Sequence, residues 1–434
     1  VKTALNRSKD LEIGRINLAA SAAGAKALIR QYLPQVSISL SADNTLVTGG
    51  PDSRIKRLAL TLSQPLYDGG RADLGRKLAV LSLQIMEKQL SRTAEELADT
   101  VRSLFLRIQA EQETCRIRLK GLALAEEQLA ITRLEHDLDL GTELDLLAAE
   151  IETGSRRISA AETEISIGEL LFSLKQALSL RADADVELTG SFDTAYEGKV
   201  LTVSPEELAR LAKGRSLDAA VRDLDIRKAG EELTLSRRSL IPSLNIEASA
   251  FVQGNAFPLQ EAGFSVRFIL GIPEPLLPAE TTLSAGLRGR GQMTAGGALA
   301  LPLFPEVTGP VNLKASLQAL KAKQTAAEMA AESLEFSIYK TIKLYEARKR
   351  QCSLSRAALD LSLKKIQVLQ EQIRIGERSS LPLLQAKLDL SEQELVLVEQ
   401  VKGLKDLERE LEILAGLPAG GLTAFTEAGS GSTP

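Results

Sequence analysis

The chain has 434 residues, of which 44% are apolar but only 3% are aromatic, and it contains no Trp. A compact enzyme of this length usually builds its core and its pocket around more aromatic surface. With one His and two Cys, the chain offers little material for catalysis or a soft-metal site, so we expect no enzyme, cofactor or metal. Its formal net charge is only −4, which predicts no attraction to nucleic acid.

The first part of the chain predicts a helix followed by a pair of strands. A helical pattern over 1–33 must end at Pro34, because the residue before a proline disfavours the helical conformation. Apolar residues then alternate with serines over 36–40, and a second alternating run covers 58–62. We therefore expect two strands within 34–68, each with one apolar face and one small, polar face.

A coiled-coil pattern follows the strands. Apolar residues recur at alternating spacings of four and three: Leu74, Leu78, Leu81 and Ile85, then Leu90, Ala94, Leu97, Val101, Leu104 and Ile108. This spacing is typical of helices that pack along a narrow seam. A helix of about 70 residues would be about 105 Å long. Gly141 interrupts the pattern, and a shorter helix over 143–180 is expected to follow.

The second half of the chain repeats these elements. Three pairs of landmarks mark the repeat: Pro34 with Pro242, Pro65 with Pro302, and Gly141 with Gly376. The members of these pairs are 208, 237 and 235 residues apart, so an insertion of 29 residues must separate the second pair of strands. It falls within 255–290, where alternating apolar residues at 264–268 predict an additional hairpin. The chain is thus a tandem duplication, and its long and short helices form two copies of one plan.

The predicted organisation has eight segments. They are a tunnel helix (1–33), a first strand pair (34–68), a long helix with its turn and return helix (69–180), a connecting segment (181–214), a tunnel helix (215–241), a second strand pair with the insertion (242–304), a second long helix with turn and return helix (305–416), and a tail (417–434). Four strands leave unpaired edges, but three copies of the chain could close a barrel of about twelve. A strand with one apolar and one polar face suits a barrel that has lipid outside and water inside.

Three local sequences carry a resemblance to a known family. They are YLPQVSIS at 32–39, LSQPLYDGG at 62–70, and LDLLAAE at 144–150 just after a helix-breaking glycine. In this order, duplicated and separated by heptad helices, they resemble the TolC-like outer-membrane efflux (outer-membrane factor) family over essentially the whole chain. The resemblance implies a homotrimer in which a twelve-stranded β-barrel in the outer membrane joins an α-helical tunnel in the periplasm.

The resemblance also implies a function and a location. It implies a passive exit duct for efflux or type I secretion, coupled to an inner-membrane transporter through a periplasmic adaptor protein. The chain would lie in the outer membrane of a diderm bacterium, with most of its residues in the periplasm and its barrel in contact with outer-membrane lipid. A coiled-coil scaffold of the cell envelope that forms no pore is the alternative, but it would have no use for the alternating strands.

Three sets of candidate site residues follow from the resemblance and from the positions of the helix breaks and strand ends. Adaptor-docking tips are expected at Leu140, Gly141, Thr142, Ile375, Gly376 and Glu377. The tunnel entrance is expected at Asp139, Glu143, Asp145, Pro382 and Gln385. Helix–strand turns are expected at Pro34, Pro65, Gly69, Gly70, Pro242 and Pro302.

Each set has a structural alternative. The tip glycines could simply cap helices, and the acidic residues of the first tip could be solvated side chains at a helix start. Some relatives have an acidic, cation-binding pair where this chain has Pro382 and Gln385, so that gate is not expected here. Cys115 and Cys352 occupy equivalent positions of the repeat, and we expect two small core residues rather than a disulfide.

Overall fold

The computed structural model describes residues 1–28, 30, 33–45, 53–273, 279–288, 291–300, 308–375 and 381–422. Its elements in chain order are α1 (Lys2–Arg7), α2 (Lys9–Ala27), β1 (Gln35–Thr45), β2 (Ser53–Tyr67), α3 (Arg71–Asp137), α4 (Glu143–Ala177), α5 (Pro205–Arg215), α6 (Leu217–Arg238), β3 (Ser243–Gly254), β4 (Glu261–Ile272), β5 (Ala279–Arg288), β6 (Gln292–Ala300), α7 (Thr308–Arg374) and α8 (Leu381–Leu414). The protein is therefore mainly helical with a small antiparallel sheet, as the sequence predicts.

The lengths of the helices match the predicted duplication. Both α3 and α7 have 67 residues, whereas α4 has 35 and α8 has 34. Two details differ from the prediction. The expected single helix over 1–33 is divided at Ser8, which separates α1 from α2. The connecting segment contains a helix, α5, which begins with Ser204 as its N-cap and Pro205 in its first turn.

The chain forms two compact units. One, the helical unit, consists of Val1–Gly14, Leu90–Ala220 and the described residues from Ala330 onward. The other, the sheet unit, consists of Arg15–Gln89 and Val221–Met329, and it contains all six described strands.

The sheet has six strands in chain order, each antiparallel to the next. The expectation of four strands was wrong, because the insertion between β3 and β6 forms β4 and β5 and both join the sheet. The additional hairpin predicted there is confirmed. Pro65 cannot donate a ladder hydrogen bond, and the register of β2 against β3 shifts between Pro65 and Tyr67.

One face of the sheet is apolar, and it has large exposed side chains on every described strand except β3. Its large exposed side chains are Val36, Ile38, Leu40, Leu58, Leu60, Leu62, Phe264, Phe268, Leu283, Leu287, Met293 and Leu299. The register places them side by side, for example Ile38 opposite Leu60 and Phe264 opposite Leu287. An apolar surface of this extent is unusual for a protein in water.

The opposite face of the sheet is polar. The hydroxyls of Ser249 and Ser265 lie 2.7 Å apart, and Arg288 Nη2 lies 2.9 Å from Glu261 Oε2. The Arg57 guanidinium lies over the Phe251 ring, 3.8 Å from its centroid. The alternation read from the sequence thus extends across all six strands as one apolar and one polar surface.

In the helical unit, the helices pack through seams of Leu, Ile, Val and Ala. The largest core cluster includes Ile117 of α3, Ile338 of α7, and Val401, Leu404 and Leu411 of α8, all of them almost fully buried. Of the predicted seam positions of α3, Val101 and Ile108 are buried in a second cluster of this unit and Leu97 and Leu104 pack against them, so the seam pattern and the core agree there.

Glu408, a buried carboxylate of α8, is one of several groups that hold the connecting segment against α7 and α8. Glu408 accepts hydrogen bonds at 2.6 Å from each of the Tyr196 and Tyr345 hydroxyls, and at 3.2 Å from the backbone N–H of Lys199. The pKa of both phenols is raised above its usual range. Burial is the larger cause, and the hydrogen bond to the Glu408 carboxylate is the second. The three contacts satisfy a carboxylate that would otherwise be costly to bury.

Candidate functional site

The first tip turn is closed by hydrogen bonds at the end of α3. The N–H of Leu140 donates to Glu135 O at 2.8 Å and the N–H of Asp139 donates to His136 O at 3.0 Å. This is the pattern of a Schellman motif, and Asp139 takes the left-handed conformation that the motif requires, with φ of 56°. The left-handed residue that terminates α3 is therefore Asp139, and Gly141 is not the helix cap that the sequence offers.

Gly141 lies close to the backbone of α3, where a side chain would be crowded. A Cβ added there would lie 3.3 Å from the backbone N of His136, which is tighter than an ordinary contact. Its own N–H donates to Glu135 O at 3.1 Å. Gly141 thus lets the turn pass close to the last turn of α3, and Leu140 beside it is exposed.

The beginning of α4 is fixed by a capping box. The Thr142 hydroxyl accepts from Asp145 N at 3.2 Å, and Asp145 Oδ2 in turn accepts from the Thr142 hydroxyl at 2.6 Å and from its N–H at 3.3 Å. These bonds from Thr142 lower the pKa of the Asp145 carboxyl. Asp145 therefore has a local structural role in addition to any role at an entrance.

Replacement of the cap is expected to loosen the tip without unfolding the protein. Thr142→Ala removes the hydroxyl that both accepts from and donates to Asp145, and such changes cost about 0.5–2 kcal/mol. Urea denaturation should show a decrease within this range, and hydrogen exchange should accelerate in the first turn of α4 only. Thr142→Ser keeps the hydroxyl and is the control, and equal losses in the two variants would contradict the cap assignment.

A cleft of about 620 Å³ lies beside the tip, between α3, α4 and α8. Its lining includes Leu140, Gly141 and Asp145 of the first tip together with Leu381 and Gln385 of α8. The structure thus brings the start of α8 next to the first tip, as the expected entrance requires. Asp139, Glu143 and Pro382 are not among the lining residues of this cleft.

The second tip is described only at its margins. Ile375, directly after α7, is exposed, whereas Gly376 and Glu377 lie outside the described residues. Pro382 is the second residue of α8, where its missing N–H costs no helical hydrogen bond. Gln385 Nε2 donates to Asp389 Oδ1 at 3.2 Å along the same helix.

Of the predicted helix–strand turn residues, Pro65 does not lie in a turn, because it is within β2. Gly69 and Gly70 both have positive φ, 70° and 77°, directly before α3, and Asp68 caps this start by accepting from Gly70 N at 2.7 Å. Pro34 and Pro242 each lie just before a strand. Pro302 lies outside the described residues.

Other predictions from single residues can also be compared with the structure. Cys115 and Cys352 are both free and buried, so the expectation of two small core residues is confirmed. Desolvation raises the pKa of both thiols. Among the described residues, each helix is either too short or too polar to span a lipid bilayer.

Sequence reasoning missed the carboxylate contacts of the connecting segment. Glu408 lies between the buried residues Leu404 and Leu411 of α8, at a spacing of four and three residues. A buried apolar side chain is expected at such a position. A charged residue at a seam position is the signal that could have identified it, because such residues are buried only with partners.

The fold is that of solved outer-membrane channels. The chain is similar to CusC, with a TM-score of 0.75 at 14% identity over 96% of this chain and 91% of that one. It is similar to the outer membrane protein VceC of Vibrio cholerae, with a TM-score of 0.72 at 13% identity over 96% and 94% of the two chains. It is also similar to the CmeC outer membrane channel of Campylobacter jejuni, with a TM-score of 0.73 at 14% identity over 98% and 85%.

Sequence comparison agrees with this fold. Residues 1–179 match the family model described as outer membrane efflux protein. The chain is 22% identical over 268 residues to the probable efflux pump outer membrane protein TtgC and to the antibiotic efflux pump outer membrane protein ArpC, both of Pseudomonas putida. The aligned region covers 58% of this chain and 52% of each relative, so the chain spans about half the length of the curated relatives it matches. These findings confirm the resemblance to outer-membrane efflux proteins that the sequence predicts.

Proposed function

We propose that this chain is the outer-membrane exit duct of a tripartite efflux pump or type I secretion system, which conducts substrates passively to the exterior. The observation that carries this proposal is the apolar face of the six-stranded sheet, which has large exposed side chains on every described strand except β3. A surface of this kind is costly in water but suits the hydrocarbon of a bilayer, whereas the polar opposite face suits a water-filled lumen. The six-stranded sheet would then lie in the outer membrane of a diderm bacterium, and most of the remaining chain in the periplasm.

The homotrimer is part of this proposal. Strands β1 and β6 stand at the two edges of the sheet and each has only one neighbour among the described strands. Unpaired edges in a membrane leave backbone groups without partners, so the edges must pair with other copies of the chain. Because each sheet has six strands, three copies would supply eighteen strands rather than the twelve that four strands per chain would give.

The tips are proposed to contact a periplasmic adaptor protein, which links the duct to an inner-membrane transporter. Leu140 and Ile375 support this assignment, because both are large apolar side chains that are exposed at tip turns. Exposed apolar residues beside a polar cleft are typical of a surface that binds a partner.

The proposed function is tested by purifying the protein from membranes and measuring its conductance in planar bilayers. A duct should be extracted from outer membranes only with detergent, should be a trimer by light scattering, and should form conducting channels in planar bilayers. A pore-free scaffold of the cell envelope predicts a water-soluble monomer or dimer without conductance, and that result would reject the duct.

The acidic residues of the first tip are proposed to set the cation sensitivity of the entrance. Three copies each of Asp139, Glu143 and Asp145 would form a negative ring, since Pro382 and Gln385 supply no charge. We expect divalent cations to reduce single-channel conductance in the native protein and to have little effect on the variant Asp139→Asn/Glu143→Gln/Asp145→Asn. Block that survives in a trimeric triple variant would rule out this ring, and Glu169→Gln on the same helix is the control.

A further inference from the structure

Among the described residues, Arg57 has no carboxylate partner on the polar face of the sheet. Its neighbours in the strand register are Ser41 of β1 and Gln253 of β3, and neither is charged. Asp43 stands on the same face, two positions beyond Ser41, and it does not pair with Arg57. The positive charge of Arg57 is therefore not balanced by an ion pair within the described part of the sheet.

Two further arginines lie on the described part of this face, and both are paired. Arg267 Nη1 lies 3.4 Å from Glu247 Oε2, and Arg288 Nη2 lies 2.9 Å from Glu261 Oε2. Opposite charges at such distances largely cancel each other for a third ion farther away. Arg57 thus differs from them, because its guanidinium is available to an anion from solution.

An aromatic ring holds the Arg57 guanidinium in place. The guanidinium lies over Phe251, 3.8 Å from the ring centroid. Phe251 stands opposite Gly263 in the register, and a Cβ added at Gly263 would overlap the ring. Glycine within a strand permits such a close approach, so the ring can lie near the backbone of the sheet with its face toward Arg57. The attraction between cation and ring then positions the guanidinium without neutralising it.

The outer edge of this guanidinium remains free to donate hydrogen bonds. Arg57 Nε is covered from solvent and has no hydrogen-bond partner among the described residues. The two Nη groups are not enclosed in this way, and they donate to no described residue. A planar guanidinium edge of this kind matches carboxylate and phosphate oxygens. Because stacking has already fixed its orientation, little conformational entropy is lost when an anion binds.

Arg57 lies far from the end of the sheet that joins the helices. Strand β2 ends at Tyr67 and α3 begins at Arg71, whereas α6 ends at Arg238 just before β3. Arg57 precedes Tyr67 by ten residues, or about 33 Å along the strand. If the helices lie in the periplasm, Arg57 stands on the lumen face near the exterior end of the duct.

We propose that Arg57, stacked on Phe251, is an anion-binding site in the lumen that binds carboxylate or phosphate groups of solutes near the exterior. The inference rests on the proposed duct and adds a class of solute that the duct contacts on the way out. In a trimer, six strands separate one Arg57 from the next, or about 29 Å along the barrel wall. Each copy therefore binds an anion independently.

Inhibition of conductance by tripolyphosphate tests the site. The trimer in planar bilayers should lose conductance as tripolyphosphate is added, and half-inhibition of Arg57→Gln should require about tenfold more, as expected for lost hydrogen bonds to a charged group. Lys56→Gln is the matched control, because Lys56 precedes Arg57 in β2 and its side chain lies on the opposite, apolar face. Its half-inhibition should equal that of the native protein.

Two variants separate a positioned site from a general effect of positive charge. Phe251→Leu keeps Arg57 but removes the ring, and Arg57→Lys keeps the charge but removes the planar edge. Both should weaken the tripolyphosphate effect several-fold. The ratio of chloride to potassium permeability should fall only in Arg57→Gln, measured from reversal potentials at about 0.01 M salt, where the Debye length is about 30 Å. Native sensitivity to tripolyphosphate in both charge-preserving variants would overturn the site.

The failure of this inference can be distinguished from the failure of the proposed function. Light scattering first establishes that each variant is a trimer. A conducting trimer in which Arg57→Gln has native sensitivity to tripolyphosphate, or in which Lys56→Gln has the same effect as Arg57→Gln, would overturn the anion site and leave the duct. A native protein that forms no channels would overturn the duct and the site together.

Discussion

Leu60→Lys is expected to prevent stable insertion of the protein into the outer membrane. Leu60 lies in the middle of β2 on the exposed apolar face, between Ile38 of β1 and Ala250 of β3. A lysine on the lipid face of a barrel costs about 2–4 kcal/mol at the middle of the bilayer, and a trimer would carry that cost three times. The expected result is a large loss of trimer from the detergent-extracted outer membrane, measured by gel filtration and light scattering.

The neighbouring residue provides a matched control. Thr61 follows Leu60 in the same strand, and its side chain lies on the polar face, opposite Ser249. Thr61→Lys adds the same charge and the same length, but on the face proposed to line a water-filled lumen, so membrane insertion should persist. Equal yields of trimer from the two variants would contradict the assignment of the apolar face to lipid.

Glu408→Ala is expected to destabilise the helical unit. The change leaves the Tyr196 hydroxyl without its acceptor, whereas the Tyr345 hydroxyl can still donate to Lys199 O at 2.9 Å and still accepts from Lys199 N at 2.6 Å. A buried polar group left without a partner costs about 1–3 kcal/mol, so a loss in this range is expected. Denaturation monitored by circular dichroism should report it, and proteases should cleave the connecting segment near Tyr196 more rapidly.

Two further variants separate this contact from a general loss of charge. Glu399 lies on the same helix but is exposed, and Glu399→Ala should change stability by less than about 0.5 kcal/mol. Glu408→Gln keeps the size and one acceptor oxygen, so its cost should lie between those of Glu399→Ala and Glu408→Ala. If Glu408→Ala were as stable as Glu399→Ala, the connecting segment would not depend on this carboxylate.

The long helices show how much a local pattern can predict. The spacing of four and three residues predicts a helix of about 70 residues, which the duplication repeats in the second half, and the structure has α3 at Arg71–Asp137 and α7 at Thr308–Arg374. A seam residue is buried by a partner helix whichever helix that is, so the period alone is sufficient. The strands follow from alternation for the same reason, including the hairpin in the insertion.

The ends of the helices depend on more than composition. Gly141 was the expected terminator of α3, yet Asp139 takes the left-handed conformation two residues earlier. Similarly, α4 ends at Ala177 rather than at 180, because Ser179 has φ of 52° and the N–H of Leu180 donates to Lys175 O at 2.9 Å. Both non-glycine residues adopt this conformation because the turn hydrogen bonds compensate its cost.

The sequence by itself determined the duplication, the types of the elements, their approximate bounds and the two-faced strands, because each depends on a period within one segment. Only the tertiary structure decided that β4 and β5 join the sheet and that Glu408 contacts the connecting segment. These features depend on which neighbours a residue meets. A heptad pattern indicates that a helix has an apolar seam, but burial of that seam is a property of the packed helices around it.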